Sequence, residues 1–221
     1  LLRAYRAIER MRRDGTRIVW MAHNLRPHEL KAYRRLVWPG IEKYLHRICD
    51  GFMTLAPSTV DVVRREFPAL AEKPATAALH PLYPRATQRA DQAACRRILA
   101  LPTDATIFAL LGMLRPYKGA EELIAAFAAN SNPKRRLLIA GQPATAEYGE
   151  HIKRLASRDG RVVVKLGYLD DSDFAMYLDA ADAMVLPYQG GQLHSGAIVH
   201  AISYGCPVIT RELDTHSPEL E

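Results

Sequence analysis

The chain of 221 residues has only three cysteines, Cys49, Cys95 and Cys206, far apart and in apolar or helical surroundings. An odd, unclustered set argues against a disulfide framework or a zinc site. It fits reduced core thiols in a cytosolic protein. No apolar run approaches the roughly 18 residues of a membrane span, and no signal peptide appears. Phosphate motifs are few. There is no G-x-x-x-x-G-K-[ST], which argues against a P-loop ATPase. There is no G-x-G-x-x-G after a strand, which argues against a nicotinamide site. G-x-S-x-G is missing around Ser195, so a nucleophile elbow has no support. Internal repeats and low-complexity tracts are absent. An initiator Met is absent too, and "LLRAYRAIERMRRDG" reads as the middle of a fold, so a piece of a longer protein is expected.

The composition is that of a globular protein, with 48% hydrophobic and 24% charged residues, and the chain is long enough for a real core. Net charge is +6, and basic surfaces favour phosphates, nucleic acid or anionic lipid. No nucleic-acid partner is expected. The first helix carries a stripe of Leu1, Tyr5, Ile8 and Met11 beside five arginines. That stripe suits peripheral contact with acidic lipid, and equally a core stripe with a solvated back.

From about residue 104 onward, apolar runs of strand length alternate with helical periodicity. The strands read as 106–112, 136–141, 161–167, 182–188 and 206–210, with helices near 119–130, 145–157, 172–180 and 195–204. Strands that are apolar throughout, alternating with helices, predict a parallel sheet covered on both faces. Residues 1–85 are less regular. Helices are expected at 1–13, about 29–48 and after Ser58, and strands at 16–22, 51–56 and near 75–79. Three strand candidates are fewer than the roughly five or six of a typical sheet. This region reads as the second half of a similar domain. The expected domains are 1–85 and 86–221, with "HPLYPRAT" (80–87) as linker.

In an open parallel sheet, ligands bind beyond the carboxyl ends of the strands. In the second domain those ends are Gly112–Lys118, Gly141–Pro143, Gly167–Asp171 and Pro187–Ser195. The stretch "LLGMLRPYKGAEELIAAF" places Arg115 and Lys118 where a helix begins, an end that already carries positive partial charge. Cations there need an anion. "QGGQLHSGA" (189–197), with Gly190, Gly191, Ser195 and Gly196, opens a later helix and can offer N–H groups to an anion. Together these predict a diphosphate. The competing reading pairs Arg115 and Lys118 with Glu121 or Glu122. "DDSD" (170–173) reads as a helix cap rather than a metal cluster. In the first domain "VWMAHNLRPHE" puts His23, Asn24 and His28 just past a strand. A histidine there suits proton transfer or hydrogen bonding to hydroxyls, or a capping role.

The segments "LLGMLRPYKGAEELIAAF", "LLIAG", "VVVKLGYLDDSDFAMYLDAADAMVLPY" and "SGAIVHAISYGCPVIT" resemble, in order and spacing, the C-terminal domain of a glycosyltransferase of the GT-B fold, family 4. The resemblance covers roughly residues 104–210. "VWMAHNLRPHE" resembles the end of that family's N-terminal domain, above all in enzymes that build bacterial exopolysaccharide from nucleotide sugars. The resemblance implies an α/β protein of GT-B type: a Rossmann-like C-terminal domain with a parallel sheet, and the second half of a Rossmann-like N-terminal domain. It implies a hexosyltransferase that moves a sugar from a nucleotide-diphosphate donor to a glycan or lipid-linked acceptor. By resemblance, Gly112, Arg115 and Lys118 hold the diphosphate, and the backbone around Gly167–Leu169, with Tyr168, meets the base. Ser195 and Gly196 approach phosphates or sugar, and His23, beside Asn24, faces the transferred sugar. No metal and no cofactor are implied, and the location is cytoplasmic, on the inner membrane face if the first helix meets lipid. Where the family carries two glutamates separated by seven residues, this chain has Gln192 and His200. The second glutamate normally binds the ribose hydroxyls, a task histidine can share by hydrogen bonding. Two alternatives stay open: a nucleotide-sugar epimerase of the same architecture, and a non-catalytic nucleotide-sugar or glycan-binding subunit.

Overall fold

The computed structural model describes residues 2–25, 32–84, 90–189 and 195–211. These form two compact units, one running through 2–80 and the other through 81–211.

The first unit holds α1 (Leu2–Arg13), β1 (Val19–Met21), α2 (Ala32–Ile48), β2 (Gly51–Thr54), α3 (Ser58–Glu66) and β3 (Ala75–Ala77). Its three strands are parallel in the order β1-β2-β3. They are shorter than the apolar runs predict. The Ile18 amide turns to the Asp50 carboxylate at 2.7 Å, so the ladder begins only at Val19. The Thr54 hydroxyl turns to the Ala56 carbonyl at 2.7 Å and leads the chain into α3. Phe52, Val63, Phe67 and Leu70 form the core with Ala22 and Cys49. His46 sits between Trp20 and Phe67, with ring centroids 4.3 and 4.4 Å away, and burial lowers its pKa. In α1, Tyr5 and Met11 are exposed while Ile8 is half-buried, so the stripe is only partly covered.

The second unit holds α4 (Gln92–Ile98), β4 (Thr106–Leu111), α5 (Ala120–Ala128), β5 (Arg135–Gly141), α6 (Ala146–Ala156), β6 (Val162–Leu166), α7 (Asp171–Ala180), β7 (Ala183–Leu186), α8 (Gly196–Ser203) and β8 (Val208–Thr210). All strand pairs are parallel and the order is β6-β5-β4-β7-β8. This is the expected parallel α/β class. Leu137–Ala140 are fully buried, as a strand covered on both faces requires. The chain leaves β4 towards β5 and β6, then returns through α7 to β7 on the other side. The strand order therefore reverses between β4 and β7. Right-handed crossovers place α5 and α6 on one face and α7 and α8 on the other.

The helix α4 had no clear periodic signal, since it is only seven residues long. Its capping is nonetheless visible locally: the Asp91 carboxylate accepts the Ala94 amide at 3.0 Å. Its main task is to deliver Arg96. The buried guanidinium donates to the carbonyls of Ala180, Thr103 and Ala105, and to Asp182 at 2.8 Å. Asp182 in turn accepts the Ile107 amide at 2.6 Å. One side chain thus ties α4 and the end of α7 to the entrance of β4. Arg96→Ala leaves these carbonyls and the carboxylate without their donor, which costs about 3 kcal/mol. The expected fall in melting temperature is roughly 6–12 °C for a domain of this size. A fall under about 2 °C by calorimetry would show that the network is not needed.

Candidate donor site

The reversal between β4 and β7 puts the usual ligand position of such sheets, a crevice, at their carboxyl ends. The loop after β4 runs through Gly112 to a 3-10 turn at Pro116–Lys118 and then into α5. The loop after β7 begins at Pro187. The two loops touch. The Gln189 amide donates to the Tyr117 carbonyl at 2.9 Å. Gly119 has φ of +72°, and a β-carbon on it would stand 2.5 Å from the Pro187 carbonyl oxygen. Only glycine satisfies both conditions. The loop after β5 closes in as well: a β-carbon on Gly141 would meet the Gly112 carbonyl at 1.7 Å. The Leu114 amide donates to Gln142 at 2.8 Å.

This packing determines where Lys118 goes. Its ammonium stands 5.7 Å from the centroid of the Tyr188 ring. A β-carbon on Gly112 would lie 3.7 Å from the ammonium nitrogen and 3.6 Å from the Phe174 ring. Burial, with the neighbouring Arg115 charge adding to it, pushes the Lys118 pKa down to about 8. Among the described residues Lys118 makes no ion pair with a carboxylate. Glu121 accepts from the Tyr148 hydroxyl at 2.7 Å and lies 3.9 Å from His151. Glu122 is taken by the Gln189 side chain. The two acids named in the competing reading are thus engaged elsewhere. Arg115 lies three residues before Lys118 and its Nε–H meets the Met113 sulfur at 3.0 Å.

Ser195 caps α8: its hydroxyl accepts the Ile198 amide at 3.4 Å and donates to the Tyr188 hydroxyl at 3.3 Å. Burial pushes the Tyr188 phenol up to about 12, so this ring stays neutral beside the ammonium. Gly196 begins the helix, and His200 lies one turn on. The His200 ring is stacked on Phe174 from α7 (4.3 Å, 11°) and on Tyr83 (4.3 Å, 19°). Burial lowers its pKa against the opposing pull of Asp171. Gly112, Lys118, Ser195, Gly196 and His200 therefore gather around one crevice. Tyr168 and Leu169 lie beyond the end of β6, two strands away. Leu169 packs on the core and Tyr168 is 78% exposed.

Three rings of this cluster, Tyr83, Phe174 and Tyr188, escape sequence reasoning. Tyr83 belongs to a stretch read only as linker. Tyr188 stood within the quoted "LPY" and could have been found from its place after β7. The Asp170 carboxylate caps α7 through the Asp173 amide at 2.8 Å. Among the described residues no three His, Cys, Asp or Glu side chains group to hold a metal ion. His23 and Asn24 follow β1 in the first unit. Burial and the nearby His80 lower the pKa of His23. Gly190–His194, with Gln192, lie outside the described residues, as does His28.

The sequence profile of the family described as "Glycosyl transferases group 1" matches residues 105–220. The chain belongs to this family. The match takes in the loops after β4 and β7 and the start of α8, and agrees with the resemblance drawn from the motifs. A GDP-mannose:glycolipid 4-beta-D-mannosyltransferase of Xanthomonas campestris pv. campestris is 28% identical over 196 residues, covering 88% of this chain and 50% of that protein. The chain spans about half the length of the curated relatives it matches. Among solved structures, sucrose-phosphate synthase from Thermosynechococcus elongatus superposes with a TM-score of 0.67 at 23% identity, over 88% of this chain and 50% of that one. Anabaena HepE in complex with UDP and glucose gives 0.67 at 18% identity, over 95% and 61%. These likenesses show the fold, and with it the GT-B class expected from the motifs.

A half-hidden ammonium with no carboxylate partner among the described residues is expected to destabilise the free group 1 domain. Below pH 8 Lys118 is charged in both the folded and unfolded chain, and the folded state bears the full desolvation cost. The cost fades as pH rises from about 8 to the ordinary lysine value. Lys118→Met keeps the apolar stem and removes the charge. The variant is expected to melt a few degrees above wild type at pH 7, with the gap narrowing by pH 10. A variant that melts lower at pH 7 would show that the ammonium is already stabilised by the protein.

Proposed function

We propose that this chain provides the donor side of a glycosyltransferase that moves a sugar from a nucleoside-diphosphate sugar to a glycan or lipid-linked acceptor. The observation that carries the proposal is Lys118: a desolvated cation, without a described carboxylate, between the β4 loop and the start of α8. A diphosphate is the anion that suits it. Transfer breaks the bond between the anomeric carbon and a phosphate oxygen, and negative charge gathers on the leaving diphosphate. Groups that bind this charge more strongly as it grows lower the barrier. Arg115 would supply a planar fork and Lys118 a point charge. The first-turn amides of α8, held by the Ser195 cap, would supply fixed dipoles. Such a site neutralises the leaving group without a divalent ion. The backbone around Gly167–Leu169, with Tyr168 exposed, would meet the nucleobase.

The relative's name supports a glycolipid acceptor and a GDP-sugar, while the HepE complex supports a uridine nucleotide. Both share the diphosphate. The arginines of α1, with Tyr5 and Met11 exposed, support peripheral contact with anionic lipid at a cytoplasmic membrane face. Among the described residues no helix is long and apolar enough to cross a membrane. In the first unit, His23 would face the transferred sugar, kept neutral by burial and His80 and thus able to accept a proton or hydrogen bond.

Calorimetry with GDP, UDP and ADP at fixed salt tests the site. At least one is expected to bind, and Arg115→Ala or Lys118→Met should each weaken it by about 2 kcal/mol, the range of a charge-assisted hydrogen bond. Diphosphate binding should also raise the Lys118 pKa. At pH 8.5, where the free diphosphate is already fully ionised, titrations in buffers of different ionisation heat should then show uptake of a fraction of a proton by wild type and none by Lys118→Met. Equal affinity in wild type and both variants would remove the diphosphate from this crevice. For His23, His23→Ala in a chain competent for transfer should cut turnover while leaving diphosphate affinity near wild type. An unchanged rate with a lower melting temperature would make the residue structural.

A further inference from the structure

The second unit begins with the segment 81–84, and Tyr83 in this segment lies along one face of α8. The Tyr83 amide donates to the Ser203 hydroxyl at 2.9 Å. The Tyr83 ring stacks on His200 at 4.3 Å. The Tyr83 hydroxyl reaches Gly196, where a β-carbon would stand 3.3 Å from it. Gly196, His200 and Ser203 are spaced by four and three residues, so they share a helix face. Tyr83 therefore reaches from the last turn of α8, through its amide, to the first, where its phenol oxygen stands beside Gly196.

That position conflicts with the proposed use of the site. A phosphate bound at the α8 N-terminus needs the space next to Gly196. A ribose or sugar hydroxyl that meets His200 needs access to a ring whose two faces are covered by Phe174 and Tyr83. Phe174 is buried in the core of the unit, whereas Tyr83 is 36% exposed and its neighbour Leu82 is 65% exposed. The segment belongs to no strand or helix. Pro81 and Pro84 bracket it, fix two φ angles and make it move as a short stiff piece. Of the two faces over His200, the Tyr83 face is the one that can open without disturbing the core.

We propose that the Pro81–Pro84 strap is a displaceable latch: Tyr83 occupies the α8 end of the crevice in the ligand-free chain and leaves it when a nucleoside diphosphate arrives. The inference rests on the donor-site reading above. Binding then breaks one ring stack and the Tyr83–Ser203 hydrogen bond. Together these oppose the ligand by about a factor of ten. Tyr83 is a gating residue here, with no part in the chemistry.

The test is calorimetric titration of the 221-residue chain with GDP, UDP and ADP, in wild type, Tyr83→Ala, Tyr83→Phe and Ser203→Ala, with Lys118→Met alongside. A latch predicts that Tyr83→Ala binds about tenfold more tightly. Tyr83→Phe, which keeps the stack and loses only the hydroxyl, and Ser203→Ala, which removes the tether away from the ring, should each gain two- to threefold. Hydrogen exchange gives a readout without substitution: the Tyr83 amide should exchange faster when the nucleotide is saturating. Unchanged or weaker binding in Tyr83→Ala, or slower Tyr83 exchange with nucleotide, overturns the latch and makes the ring a wall of the site. If wild type binds and Lys118→Met does not, the donor reading stands whatever Tyr83 does. If wild type binds none of GDP, UDP and ADP, the donor reading fails, and the latch fails with it.

Discussion

The close approach of the loops after β4 and β7 is the constraint from which the site follows. Gly119 lies against the Pro187 carbonyl, where no side chain fits, and the Gln189 amide is bound to Tyr117. The 3-10 turn between Arg115 and Gly119 is thereby held against the β7 loop. Lys118 has little choice of direction: Gly112 lies on one side and the Tyr188 ring on another. Its ammonium is desolvated because the backbone around it is clamped. The same loop engages the Glu122 carboxylate through the Gln189 side chain.

A cation held in this way is a cost in the free protein and an advantage once an anion arrives. Preorganised charge needs no reorganisation at the moment of reaction, which is what makes such a group useful against a developing negative charge. The architecture concentrates this cost locally. Around it, the buried strands β4 and β5 and the Arg96 network supply stability that the crevice does not contribute. The first unit, with three short strands and a smaller core, has less apolar surface to bury.

Much of the second unit is legible in the sequence, because strands covered on both faces are apolar throughout and stand out between helices. Strand ends are less legible. The runs at 16–22 and 51–56 stop pairing early because Asp50 and Thr54 redirect the backbone, a tertiary and a local hydrogen bond that periodicity does not register. The α4 helix is too short for a periodic signal. Arg115, Lys118, Ser195 and Gly196 are named by the sequence from their positions in strand-to-helix turns, and the fold places Lys118 and Ser195 around the Tyr188 ring. Gly112 marks the first of these turns in the sequence, whereas the need for glycine at Gly119 shows only in its packing against Pro187.

By itself, the sequence determined the α/β class, the family through its ordered motifs, and the two loops that bear cations and helix-capping groups. These depend on local spacing and on the burial period of each segment. The tertiary structure decided which groups meet. Whether Lys118 pairs with Glu121 or stands open depends on Tyr148 and Gln189, which reach those acids from other elements. Whether His200 is open to a ligand depends on Phe174 and Tyr83, remote in the chain and brought together only because α7 and the strap pack against α8. Contacts between distant segments follow from packing rather than from local propensity, and no pattern in one segment records what will be laid against it.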